Sequence, residues 1–171
     1  MRTTALTTTL LAIVMTAAAQ QAGTKESPAE HQAAVTSRGD QAMGFSHEKT
    51  THHFRLFKDG GTIEAAVNDA KDTESRDAIR MHLSHIAKMF AAGDFNATMF
   101  IHGTNPPGVP ILTELHSQIH YRYLETGSGA QVRIETANAQ AVQAIHDFLR
   151  FQISEHHTGD STGVTEDSQK K

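Results

Sequence analysis

Two imidazoles and a thioether recur along one helical face of this chain. His82, His85 and Met89 stand at i, i+3 and i+7, a spacing that a helix turns into one stripe. Neutral imidazole and thioether suit soft and borderline metals, copper above all, while imidazole alone also serves zinc. Three further residues are placed to complete such a site: His52 upstream, and Met99 and His102 just downstream. No carboxylate lies on the stripe, so a hydrolytic zinc site with a general base is not indicated. Imidazole binds metal only when neutral. Affinity is therefore expected to fall as pH drops through about 6, near the ordinary histidine pKa.

The stripe needs a helix to carry it, and the sequence supplies one from Asp72 to about Phe90. Ile79, Leu83, Ile86 and Phe90 form its core-facing row, with His82, His85 and Met89 alongside. Asp72 or Thr73 caps it, Glu74 sits in its first turn and Gly93 stops it. Before it comes a hairpin, Thr51–Phe57 and Thr62–Asn68, turning at Lys58-Asp59-Gly60-Gly61. Period-two alternation puts His52, Phe54 and Leu56 on the core side with Ile63, Ala65 and Val67, and His53, Arg55 and Glu64 on the other. After the helix, Met99–His102 reads as a short strand, Asn105-Pro106-Pro107-Gly108 as a rigid turn and Val109–Ser117 as a short helical connection.

A second hairpin, Ile119–Glu125 and Ala130–Thr136, turns at Thr126-Gly127-Ser128-Gly129. It leads to a helix over Ala139–Glu155 whose stripe is Val142, Ile145, Leu149, Gln152 and His156, with Phe148 alongside. The halves align: H-F-R-L-F-K-D-G-G from His53 lies on H-Y-R-Y-L-E-T-G-S from His120 at a constant offset of 67, and Ile79 and Leu83 fall on Ile145 and Leu149. The expected fold is α+β: two β-β-α repeats forming a four-stranded antiparallel sheet with both helices on one face. At the positions of His82, His85 and Met89 the second helix has Phe148, Phe151 and Glu155, so local chemistry is expected in the first half.

Composition frames this. At 171 residues the chain is one domain with tails. Its net charge of −4 and the lack of any basic run argue against nucleic acid as a partner. It has 12 histidines and no cysteine, so no disulfide braces it. Arg2, the apolar stretch Ala5–Ala19 and the closing Ala17-Ala18-Ala19 form a signal-peptide pattern over 1–19, with cleavage leaving Gln20 first. The stretch is too short and Thr-interrupted to span a bilayer, which implies an exported, periplasmic or secreted bacterial protein with no membrane span after cleavage. Residues 20–42 read as a disordered linker, 43–157 as the domain and 158–171 as a disordered tail.

No nucleophile elbow, cysteine nucleophile, phosphate loop or dinucleotide fingerprint is present, and no catalytic residues are assigned. Covalent c-type haem is excluded for want of C-x-x-C-H, whereas non-covalent haem stays open. The alternative to metal binding is a non-catalytic interaction module. It would use His53, Arg55, His120, Arg122 and Arg133 on the outer sheet face to meet an anionic ligand or an acidic protein partner. M-G-F-S-H-E-K-T-T-H-H-F at Met43–Phe54, R-M-H-L-S-H-I-A-K-M-F at Arg80–Phe90 and A-I-H-D-F-L-R-F-Q-I-S-E-H at Ala144–His156 resemble a family of small exported bacterial proteins without established activity. Members are sometimes labelled aspartate carbamoyltransferase. The chain lacks that enzyme's S-T-R-T-R carbamoyl-phosphate loop and the length for its two domains. The resemblance therefore implies export and no catalytic residues.

Overall fold

The computed structural model describes residues 27–166. The signal-peptide reading of 1–19 lies outside the described residues, as do 20–26 and 167–171. The strands are β1 (Thr50–Phe57), β2 (Gly60–Val67), β3 (His120–Glu125), β4 (Gly129–Glu135) and β5 (Val164–Thr165). The helices are α1 (Pro28–Met43), α2 (Thr73–Ala91), α3 (Asn96–His102), α4 (Val109–Glu114) and α5 (Ala139–Glu155), with a 3₁₀ turn at His116–Gln118. The class is α+β. The expected sheet of four antiparallel strands under two helices becomes a mixed five-stranded sheet, ordered β3-β4-β2-β1-β5, with five helices among the described residues. The fifth strand is a parallel addition, Leu56 and Phe57 of β1 against Val164 and Thr165.

Alternation builds the sheet as expected. Phe54, Leu56, Ile63, Ala65, Val67, Val132 and Ile134 are buried on one face. Phe90 of α2 meets Tyr121 of β3 and Phe148 of α5, each at 5.9 Å between ring centres, so both long helices lie on that face. The helices cross over: α2 packs on β3 and β4, and α5 on β1 and β2, so each covers the hairpin from the other half of the chain. Each β-β-α stretch therefore relies chiefly on the helix of the other to cover its sheet face.

The ladders relate the hairpins by 69 residues instead of 67. Phe54↔Ile63 of the first corresponds to Tyr123↔Val132 of the second, and 69 is added to each number. The reason is the turns. Phe57 pairs with Gly60 around Lys58-Asp59, and Thr126 donates to Gly129 around Gly127-Ser128, so both loops hold two residues. The counterpart of Gly60 is then Gly129, not Gly127, and that of Phe54 is Tyr123, not Tyr121. Both glycines make the same close approach. A Cβ on Gly60 would lie 2.1 Å from the Ile134 carbonyl oxygen, and one on Gly129 2.2 Å from that of Ala65. No side chain fits at either point.

Two segments read as unstructured are ordered. Within the expected 20–42 linker, Ser27 accepts from the Glu30 N–H while Glu30 reaches back to the Ser27 N–H, a capping box with Pro28 at the first turn. Gly44, at φ 77°, closes the helix. Only Val35, Gly39 and Met43 of α1 are buried, one narrow row laid against α3. In the expected 158–171 tail, Asp160 accepts from the Phe54 N–H at 2.9 Å and from His53 Nδ1 at 3.0 Å, and Thr162 accepts from Arg150. Met99–His102, expected as a strand, belongs to α3, which Gly103 ends at φ 65°. The α4 helix and the 3₁₀ turn fulfil the helical connection expected over Val109–Ser117.

Candidate functional site

Four imidazoles gather where the end of α1, β1, α2, α3 and the C-terminal end of α5 meet. His52 leaves β1 on the core side and stacks between Phe45, at 5.9 Å, and Phe54, at 6.4 Å. His156, the C-cap of α5, stacks on His52 at 5.5 Å and stands edge-on to His102 at 5.2 Å. His82 meets the same Phe45 ring edge-on at 5.8 Å. All four line a cavity of about 60 Å³ whose other walls include Ile63, Leu83, Ile86, Phe90 and Phe148.

The environment fixes the charge. Burial holds His52 and His82 down to about 4, and His156 to about 3, with neighbouring imidazoles adding to each effect. Burial also lowers His102, against the opposing pull of its Gln152 hydrogen bond and of Glu155. His52, His82 and His156 are thus neutral far below the ordinary histidine range, so for any ion they hold the acid dependence expected near pH 6 would move toward 4.

Two buried polar atoms at this cavity lack hydrogen-bond partners among the described residues: His102 Nδ1 and Gln152 Nε2. His102 Nε2 lies 3.2 Å from Gln152 Oε1, while its Nδ1 lies 3.5 Å from Glu155 Oε2. Glu155 also accepts from His31 Nε2 at 2.9 Å, which ties α1 to the end of α5 beside the cluster.

Of the expected metal residues, the structure brings together His52, His82 and His102 and separates the rest. His85 is exposed. A step of three residues turns a helix by about −60°, so His85 lies beyond His82 on the solvent side. Met89 is half-buried against the core and does not line the cavity. Met99 lines a different depression beside Ala92 and Val109. The thioether at the cluster is that of Met43, and the fourth imidazole is that of His156. Met43 opens the expected 43–157 domain but was not among the candidate ligands. His156 had a signal, since it continues a core-facing stripe through Gln152 where apolar residues belong. Among the described residues, no three His, Cys, Asp or Glu side chains are set to hold one ion.

The outer sheet face is not an open basic row. Arg55 pairs with Glu64 at 2.5 Å, Arg122 with Glu135 at 3.6 Å and His53 with Asp160 at 3.0 Å. Arg133 is 1% exposed, lies over the Phe57 ring at 4.9 Å, contacts Asp59 at 2.6 Å and donates to the Gly61 and Ile134 carbonyls. Its expected place on a ligand-facing surface is corrected: it is a buried structural cation. His120 is exposed.

Fold and site together define an α+β sheet protein with a compact imidazole cluster under its helices. The chain matches no protein-family model, no curated protein and no solved structure. No helix among the described residues is long and apolar enough to cross a membrane.

Proposed function

We propose that this is an exported bacterial protein that binds a transition metal, copper first, through His52, His156 and the Met43 thioether, with His82 and His102 beside them. The observation that carries the reading is the His52–His156 pair, stacked at 5.5 Å and lining the same cavity as Met43. With metal–nitrogen bonds of about 2.0–2.1 Å, two rings at this separation can each turn one nitrogen toward a single ion. Two imidazoles and a thioether are a soft to borderline donor set, which favours copper over zinc. The neutral state of the rings is the state that ligates. His52, His82, His102 and Met43 come from the first half of the chain and His156 from the second. In the same reading the chain descends from a duplicated β-β-α unit, supported by the common hairpin register and the crossed helices.

The test is metal analysis and copper titration of tag-free protein beside a His52→Phe/His156→Phe variant. The parent should carry or take up close to one copper per chain. The variant should keep its circular dichroism spectrum and bind at least a hundredfold more weakly. Absence of uptake by the parent, or equal affinity in the two, would overturn the reading.

A further inference from the structure

The two edges of the sheet end differently. At the β1 edge the chain closes itself. The Phe54 N–H donates to Asp160 at 2.9 Å, Leu56 pairs with Val164 of β5, and the Leu56 carbonyl accepts from the Thr165 hydroxyl. At the other edge lies β3, with no strand beyond it among the described residues.

The ladder fixes which groups that edge leaves free. Thr126 donates to Gly129 in the turn, and His120 through Glu125 pair with β4 without a break. In an antiparallel pair, successive residues turn their backbone groups alternately toward the neighbouring strand and away from it. His120, Arg122 and Leu124 therefore turn theirs to β4, and Tyr121, Tyr123 and Glu125 turn theirs outward. Among the described residues, no group accepts from those outward N–H groups. The devices that blunt an edge are missing, since β3 has no proline, no lysine and no bulge. Its Arg122 is drawn back to Glu135 of β4, at 3.6 Å.

The strand also complements itself. Arg122 lies toward its start and Glu125 at its end, so antiparallel pairing of two copies sets the basic end of one beside the acidic end of the other. A twofold axis normal to the sheet keeps the helices of both copies on one side, and opposed residues then come from the same face. The two registers of greatest overlap put either Arg122 or Tyr123 on that axis. The first sets two guanidiniums opposite each other, which is unfavourable. The second opposes Tyr123 to Tyr123, Tyr121 to Glu125 and Arg122 to Leu124, with no like charges face to face. It also gives every outward N–H and C=O of Tyr121, Tyr123 and Glu125 a partner, and it joins Tyr121 and Tyr123, both packed against the core, across the axis.

We propose that β3 is an association edge, through which two copies of this chain pair antiparallel about Tyr123 and make one sheet continuous across both. The pairing is independent of the metal-binding reading.

The experiment measures the mass of the tag-free full chain by sedimentation over a range of concentrations. The parent should reach twice the chain mass. Tyr123→Pro removes an outward N–H and leaves the β4 ladder intact, so it should weaken association at least tenfold with an unchanged circular dichroism spectrum. Cross-linking tests the register and does not depend on the proline variant folding. The chain has no cysteine. Under mild oxidation Tyr123→Cys should form a disulfide between copies, because opposed residues of such a pair lie about 5.5 Å apart. Arg122→Cys should not, since its two sulfur-bearing residues would sit on a diagonal of about 7–8 Å. A parent that stays monomeric would refute the proposal, even if it captured a strand of another protein. A dimer that persists in folded Tyr123→Pro would place the contact elsewhere and refute it too. Cross-linking through Arg122→Cys in preference to Tyr123→Cys would overturn the register.

Discussion

His52 and His53 are neighbours in the chain and opposites in the fold. His52 points into the helix-covered side among Phe45, Phe54 and His156, where burial holds it down to about 4. His53 points to the outer face and meets the Asp160 carboxylate at 3.0 Å. The same division runs through the molecule. The inner imidazoles are kept neutral in an apolar setting, whereas Arg55, Arg122 and Arg133 of the outer face each lie beside a carboxylate. The lesson is that a row of like side chains in sequence carries no chemistry until counter-charges are located. The inner group is held uncharged by burial, and the outer group is spent on ion pairs with nearby carboxylates.

The largest test of this contrast is acid. In the unfolded chain each histidine titrates near 6.5. Folded, His52 and His82 titrate near 4 and His156 near 3. Between about 4 and 6.5 the unfolded chain binds more protons, so stability rises with pH across that window and is fully present above it. For metal-free protein, urea unfolding should show a loss on the order of 2 kcal/mol per ring between pH 6.5 and 4. The His52→Phe/His156→Phe variant should lose most of that slope. A parent with a flat profile across this window would mean that the rings are not held neutral.

The outer face should respond to truncation instead. Arg133→Leu strips a buried guanidinium from Asp59 and from the Gly61 and Ile134 carbonyls. Removing one partner of such a buried set costs about 3–5 kcal/mol. Arg122→Ala breaks an exposed pair and should cost under about 1 kcal/mol. Urea midpoints of the two variants measure the difference. Equal effects would show that Arg133 is no more buried in energetic terms than its neighbour.

What could be read in advance follows from which residues carry periodicity. Both hairpins and both long helices were legible because Phe54, Ile63, Ile79, Leu83, Ile145 and Leu149 repeat at strand or helix spacing. The α1 helix was not, because it buries only Val35, Gly39 and Met43, and glycine at the middle contact hides the row. Its legible signal was local: Ser27-Pro28-Ala29-Glu30 before it and Gly44 after it. Met99-Phe100-Ile101 has the composition of a strand, but Thr98, Ile101 and His102 are buried on one side of a helix. Arg133 sits where alternation puts an exposed residue. Its burial comes from Phe57 and from the Gly61 carbonyl of β2 across the ladder, which no single-strand pattern contains. The candidate site was half legible. His52, His82 and His102 were placed by period and proximity, whereas Met43 and His156 join them through helix ends distant in sequence.

His82 and His85 give the smallest expected effect and the sharpest control. They share a helix, a side-chain type and a spacing that by itself suggests joint ligation. The helix turns His85 into solvent, while His82 lies against Phe45 and the cavity. His85→Ala therefore removes no buried contact, and its stability change should stay within about 0.5 kcal/mol. Its copper affinity should match the parent's within twofold, while His82→Ala should weaken binding measurably because it opens the wall beside the ligating pair. Parallel copper titrations of the two single variants decide the matter. If His85→Ala proves the more damaging, the ion is held on the exposed helix face, and the cluster beneath the helices is only a packed group of neutral rings.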